Sequence, residues 1–447
     1  MDTLENRLQK RIHVSLYALL FLTALLGLSV LLEGCTDKCE ITNSYVYYEP
    51  EYTTVKDIRA QVALESPKEI KSTGKIYFKD GVLFVNEPGE GIHIIDNHDP
   101  AHPVAKSFLK IPGSYDLAIK GNTLYADSFV DLVAFDVSNI DAIHEVNRLE
   151  GVFKNYSVMG YVADPNCCVI TGWKERRDVQ VSNSDCGSFN HANREFILYN
   201  GGIALTSDAA ATFSTKTAFA PGTGSGPGVG GSLARFTLSK DHLYMIDGSD
   251  IQVVNVASQQ TPAIGTRSTV GWNIETLFPH KDNLFIGSTT GMIIMDISAP
   301  DALSVVANYA HVTSCDPVVV DDDYAYVTLR SGTSCNSTAN QLEIIDIKNP
   351  ADPRLVTTYP MTNPHGLGID NKTLFICDGS DGLKAFDATD IMKVSSNLLA
   401  HYQNINARDV IPLDNVLMMI GDDGIFQYDY SNKADIKLLS QITVGAN

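Results

Sequence analysis

A chain of 447 residues is long enough for one large closed domain or two ordinary ones, and its 44% hydrophobic content is that of a globular protein. Its formal net charge of −20 excludes nucleic acid and anionic lipid headgroups as natural partners, because both need a basic footprint. The acidic surface is self-repelling and open to basic ligands, cations and cationic partners.

The N-terminus carries Arg7, Lys10 and Arg11, then a nearly unbroken apolar run over 14–32, then Leu32-Glu33-Gly34-Cys35. This order predicts a lipoprotein signal peptide over 1–34, cut before Cys35, which then carries the lipid. Glu33 departs from the small or apolar residue usual at that place. The competing reading is an uncleaved anchor, since the run is long enough to span a bilayer. Residues 35–54 are polar, contain Tyr45, Tyr47, Tyr48 and Tyr52, and are expected to be a tether. Residues 55–64 alternate as a strand does and are expected to latch a ring shut beside its last repeat.

From about residue 72 the chain repeats itself. Leu83-Phe84-Val85 leads to Gly91-Ile92-His93-Ile94-Ile95-Asp96, and Leu124-Tyr125 leads to Leu132-Val133-Ala134-Phe135-Asp136. The same pattern ends at Asn255, Asp296, Asp346, Asp387 and Asp429. The period is roughly 40 to 50 residues, that of propeller blades. Each unit holds about four short runs rich in Val, Ile, Tyr and Phe, cut by Gly, Asn and Asp, which read as strands and hairpins. The terminal Asp stands at a strand-to-turn exit, where its carboxylate can accept turn N–H groups. We therefore assign it a structural role. The fold class expected is all-β: a single closed β-propeller of four-stranded blades over 55–447, with an irregular insertion at about 174–230. The count is eight blades if the irregular third unit closes as a blade, the reading adopted, and seven if it is an excursion.

The units resemble the LVIVD repeat, and the chain resembles the LVIVD-repeat β-propeller lipoproteins of Bacteroidetes-type bacteria. The resemblance rests on the motif ending at Asp96, on Leu132-Val133-Ala134-Phe135-Asp136-Val137-Ser138-Asn139, and on Asp423-Gly424-Ile425-Phe426-Gln427-Tyr428-Asp429-Tyr430. It implies a fold and an envelope location and no established activity. Asp37, Lys38 and Glu40, interrupted by Cys39, resemble the short charged signal that sends some of those lipoproteins to the cell surface.

Eight cysteines without a Cys-x-x-Cys pair argue against a zinc ribbon or a thioredoxin-like site. Export to an oxidising compartment permits disulfides. Cys315 and Cys335 fall on the same face of their blade and are expected to pair; Cys167 or Cys168 is expected to pair with Cys186 and tether the insertion. Cys377 lies mid-strand and is expected to be buried. No phosphate-binding loop, zinc-protease motif or nucleophile elbow is present. Asp378-Gly379-Ser380-Asp381-Gly382 lacks the spaced ligands of a calcium loop and reads as a hairpin turn.

The better signal is positional. Counting back eight or nine residues from each Leu-Tyr or Leu-Phe gives Asp116, Arg235, Glu275, Asp316, His365 and Asp409, with Arg408 beside the last. Each comes from a different blade, and a ring gathers them at one end of its axis as candidate ligand-binding residues, with His365 able to titrate near neutral pH. A solvated, charge-lined channel is the plainer alternative. The functional expectation is a non-catalytic envelope lipoprotein, a binding or scaffold propeller for a protein or glycan partner on the periplasmic or surface side of the outer membrane. It needs no cofactor. A propeller hydrolase or lactonase with a divalent cation at the channel mouth, and a subunit of an envelope assembly complex, are the alternatives.

Overall fold

The computed structural model describes residues 19, 22–23, 38–158, 161–162, 164, 166–185, 197–199, 202–206, 229–230, 233, 235–271, 274–310, 317–331, 339–413 and 415–445. The chain divides into two compact units, 1–50 with 173–214, and 51–172 with 215–447. The smaller unit contains one sheet with the strand order 168–185, 38–54, 202–206, 197–199, whose first two strands continue past its boundaries. Tyr45 stands opposite Thr206 and Tyr48 opposite Ile203. The stretch expected as a tether is thus largely a strand, in keeping with the β-forming run Tyr45-Val46-Tyr47-Tyr48.

The larger unit is an all-β propeller. Seven antiparallel sheets, each built on four consecutive strands, span 76–110, 117–149, 236–269, 274–310, 318–360, 367–402 and 407–443, here blades 1 to 7, and the first is widened to six strands by Val229–Gly230 and Ala63–Glu65. Of the four consecutive strands in each blade the first is innermost and the fourth outermost; in blade 1 Val229–Gly230 pairs on the inner side of the first and Ala63–Glu65 on the outer side of the fourth. The second strands Val82–Glu87 and Thr123–Ser128 are buried at every position, because neighbouring blades cover both faces of the sheet. The outer strands are half solvated, as in Val104–Lys110. The number of blades among the described residues is seven, not eight. Among its described residues the irregular unit contributes to this unit only the hairpin of Ser157–Val158 with Tyr161–Val162, and then Cys168–Asp185, which belongs to the other sheet. The reason is local: after Trp173 that strand turns to Lys174-Glu175-Arg176-Arg177, all exposed, which cannot be covered on two faces.

The repeat grammar has a geometric cause. Asp136, Asp296, Asp346, Asp387 and Asp429 each accept the backbone N–H two residues on, at 2.7 to 2.9 Å, and Asn255 does the same for Ala257. Hydrogen bonds from that residue hold Asp136, Asp296, Asp387 and Asp429 below the usual carboxylate range. The Gly that opens the third strand is equally forced. Gly91, Gly291 and Gly424 have φ of 148°, 155° and 136°, and a Cβ on any of them would lie 2.2 Å from an outer-strand carbonyl oxygen.

The ring closes without a shared sheet. Blade 7 is one continuous segment, the blade 1 sheet takes in Val229–Gly230 and Ala63–Glu65 from elsewhere in the chain, and among the described residues no strand of either blade pairs with the other. Closure rests on side chains: Ile411, Met418, Ile420 and Ile425 pack against Ile76, Leu83, Val85 and Ile95. Beside them the buried Asn97 and Gln427 exchange two amide hydrogen bonds, both 2.8 Å, and Ser440 Oγ donates to the Pro100 carbonyl at 2.6 Å. The expected latch over 55–64 is not there. Thr54 caps a one-turn helix, Val55–Arg59, by accepting the Asp57 N–H, and Val55 and Ile58 bury against Phe129, Val130 and Val169. The following strand, Ala63–Glu65, pairs with the outer strand of blade 1 instead of with blade 7.

Replacing Gln427 with Leu leaves Asn97 buried without its partner and is expected to cost about 1–3 kcal/mol. Adding Asn97→Leu should recover part of that loss. Denaturant midpoints of the two single variants and the double variant check this; simple additivity would contradict a coupled pair.

Candidate functional site

The end of the axis where the inner strands begin is shaped by bulges. In blade 4, Ile274 faces Ser288 and Thr276 faces Gly287, so Glu275 is the extra residue; in blade 7, Arg408 is extra between Ala407 and Asp409. In blade 6, Cys377 alone faces His365 and Gly366, and in blade 1 Asn86 alone faces Gly74 and Lys75. A bulge aims two successive side chains in different directions. The residue eight places before the repeat's second-strand anchor turns inward: Lys75, Asp116, Thr276, Pro317, Gly366 and Asp409 are buried, and Arg235 is half-buried. The residue nine places before points outward: Tyr115, Glu275 and His365 are half-buried and Arg408 is exposed. The candidates named from the sequence therefore divide between two layers and do not share one site.

The inner layer fastens blades together. Asp116 is fully buried; one carboxylate oxygen meets Lys75 Nζ at 2.6 Å, and the other accepts the N–H groups of Arg235 and Phe236 in blade 3, both at 2.9 Å. Lys75, also fully buried, donates on to the Phe236 carbonyl at 3.2 Å and lies in the field of Asp409. Burial pushes the Lys75 ammonium down, and the Asp116 and Asp409 carboxylates work against that. Asp127 accepts the N–H groups of Tyr115 and Asp116 at 2.7 and 2.9 Å, and burial pushes its carboxyl up to about 6. Asp409 fills the space a side chain on Gly366 would need: a Cβ there would stand 2.1 Å from its Oδ1.

The outer layer is an electrostatic cluster over blades 4 to 7. It includes Arg330, which follows the second strand of blade 5, Tyr324–Leu329, and which sequence reasoning missed. Its Nη1 lies 2.7 Å from Nδ1 and 3.1 Å from Nε2 of His365. Burial, with the charges of Arg330 and Arg408, pushes the His365 imidazole down to about 3, so it is neutral at physiological pH and does not titrate there as expected. Arg408 pairs through Nε with Asp422, which also accepts from Asn406 Nδ2. Glu275 acts on Arg330 from blade 4. Asp316 lies outside the described residues.

Around this end, hairpin carboxylates bind incoming loops. Asp247 accepts Lys154 and Asn155 N–H groups, and Asp378 accepts those of Thr362 and Asn363. The segment 378–382 is a hairpin turn, as read from sequence. Among the described residues no three His, Cys, Asp or Glu side chains group as cation ligands. Cys168 is bonded to its neighbour Cys167 on a turn anchored by Asp164. Cys377 is a buried free thiol, pushed up by burial. Cys35, Cys186, Cys315 and Cys335 lie outside the described residues, as does most of the insertion over 174–230.

A family model for the LVIVD repeat matches residues 282–311 and 314–361, so the chain carries LVIVD repeats in blades 4 and 5. No curated protein matches the sequence. Among solved structures, a protein from Lactobacillus plantarum aligns at a TM-score of 0.52 and 9% identity, over 91% of this chain and 97% of its own. BamB from Moraxella catarrhalis aligns at 0.47 and 8%, over 81% and 85%. Hsv2 from Kluyveromyces lactis aligns at 0.46 and 11%, over 84% and 100%. At these identities the first similarity is one of fold alone, and the other two carry no functional argument.

The raised carboxyl of Asp127 has a pH signature. Its folded value, about 6, lies above the unfolded value near 3.8, so the stability it contributes is fully present below about 4 and is lost as pH rises through 6. The total is on the order of 2–3 kcal/mol. Asp127→Asn keeps an acceptor for both N–H groups and should flatten the stability profile between pH 4.5 and 7.5. An unchanged profile would contradict the assignment.

Proposed function

We propose that this protein is a non-catalytic binding or scaffold propeller of the cell envelope, held to the outer membrane by lipid on Cys35, that engages an envelope protein or glycan. The observation that carries the reading is the use made of the axial polar residues. Asp116, Asp409 and Lys75 fasten blades, and His365 is held neutral against Arg330. A hydrolase needs groups free to move protons or polarise a bond. A scaffold needs a rigid frame with loops at its ends, and a fully fastened axis supplies one.

The signal-like order of 1–35, basic residues, apolar run and Cys, supports the anchor. Lipid chains on a single cysteine suffice for stable attachment when more than one is present. Envelope placement also agrees with an acidic, self-repelling surface that gains nothing from anionic headgroups.

Two measurements test this. Cys35→Ala should shift the protein from the membrane to the soluble fraction or leave an uncut precursor; unchanged mobility and unchanged membrane association would contradict the anchor. Tagged protein purified from detergent-solubilised envelopes should bring down a partner in fixed proportion or bind envelope glycan. Turnover of ester, lactone or glycoside substrates by the purified chain, abolished by Glu275→Gln, would replace the scaffold reading with an enzymatic one.

A further inference from the structure

Neither the axis nor the blade repeat makes use of the bonded neighbours Cys167 and Cys168. A disulfide stabilises a fold most when it closes a long loop of the unfolded chain, and a bond between adjacent residues closes almost none. Nor is the pair shielded: Cys167 is exposed and Cys168 half-buried. Both stand at the end of a tight turn. The Asp164 carbonyl accepts the Cys167 and Cys168 N–H groups at 3.0 and 2.9 Å, and the Asp164 N–H donates to the Cys168 carbonyl at 3.1 Å. The Asp164 carboxylate accepts the Asn166 N–H at 2.9 Å. The Cys167 carbonyl is engaged elsewhere, where it accepts the Val55 N–H at 2.9 Å. Val55 is the first residue of the one-turn helix Val55–Arg59, and Val169, directly after the pair, buries against Val55, Ile58, Phe129 and Val130. Arg59, at the other end of that helix, grips the buried Asp131 of blade 2 through two hydrogen bonds of 2.7 and 3.1 Å. The chain then reaches the outer edge of blade 1 as Ala63–Glu65. The bonded pair therefore holds the head of a strap, 55–65, that joins blade 2 to blade 1.

Exposed disulfides are open to thiolate attack and are the labile, regulatory ones, whereas structural ones resist reduction. We propose that Cys167–Cys168 is a thiol–disulfide exchange site, and that a dithiol reductant acting there loosens the strap over 55–65. The attacking thiolate bonds to Sγ of Cys167, the exposed member of the pair. The bond between the two protein sulfurs breaks, and its electron pair leaves on Cys168 Sγ, which takes up a proton. The second thiolate of the reductant then attacks the reductant's own sulfur in the mixed disulfide, and Cys167 Sγ leaves with its electron pair and is protonated. Two electrons and two protons pass to the protein, and the dithiol becomes its disulfide. Opening the ring frees the torsions between the two residues, so the Cys167 carbonyl is no longer fixed on the Val55 N–H.

The experiment treats the native full chain with dithiothreitol, labels free thiols with N-ethylmaleimide, and digests with trypsin. Cleavage after Lys154 and Lys174 isolates both sulfurs in one fragment with no other cysteine. That fragment should carry no label before reduction and two labels after it, while the buried Cys377 stays unlabelled until the chain unfolds. Native-state hydrogen exchange should show the Val55–Arg59 amides exchanging about tenfold faster in the reduced protein. In the double variant Cys167→Ser with Cys168→Ser they should exchange at the faster rate with or without reductant. Labelling of the fragment before reduction, or no reduction of it until the chain unfolds, overturns the proposal. So does equal exchange over 55–65 in the oxidised and reduced protein, or a reductant response that persists in the double variant. None of these readings depends on partner capture, so the binding reading stands or falls separately.

Discussion

Ring closure is the constraint on which everything else in the larger unit depends. A blade with both faces apolar is stable only when each face is covered, so seven such sheets stand or fall together. Among the described residues no strand is shared between blades 7 and 1. The face contact of Ile411, Met418, Ile420 and Ile425 with blade 1, and the Asn97–Gln427 amide pair, must therefore do what strand exchange would otherwise do. An apolar face alone tolerates sliding. Two buried amides that exchange hydrogen bonds fix the register, because a slip leaves the Asn97 side chain unpaired in a dry site.

The axis extends the same logic. Lys75 of blade 1 reaches Asp116 of blade 2 and the Phe236 carbonyl of blade 3, and Asp409 of blade 7 acts on it from the other side. Two buried opposite charges at 2.6 Å, with the remaining lone pairs met by backbone N–H groups, satisfy the condition under which such a pair is tolerated. Polar side chains at a propeller axis invite a reading as a reaction centre. Here Lys75, Asp116 and Asp409 of the inner layer are buried, while Arg408 of the outer layer is exposed.

Much of this was legible in the sequence, for local reasons. The closing Asp and the third-strand Gly recur because an Asx turn spans two residues and a positive φ concerns one. Seven of the repeats could be read off directly. The axial layer was harder, because a bulge adds one residue and changes the direction of the next. Counting back eight or nine places merged Asp116, Arg235 and Asp409 with Glu275, His365 and Arg408, which face differently. A fixed count of eight would have found Lys75. Arg330 follows a second strand and has no positional signal, and the Asn97–Gln427 pair joins residues 330 apart, beyond any local pattern. The irregular third unit misled the blade count because two strand-like runs are not enough to make a sheet with two coverable faces.

The central claim is that the axial lysine ties distant blades into one cooperative ring. Native-state hydrogen exchange of the wild type and of Lys75→Met tests it most directly. Removing the ammonium leaves Asp116 as an uncompensated buried charge, a loss of about 3–5 kcal/mol. The account predicts that the slowest amides of blades 1, 2, 3 and 7 lose protection together and by the same amount. A loss confined to blade 1, or no loss at all, would contradict it.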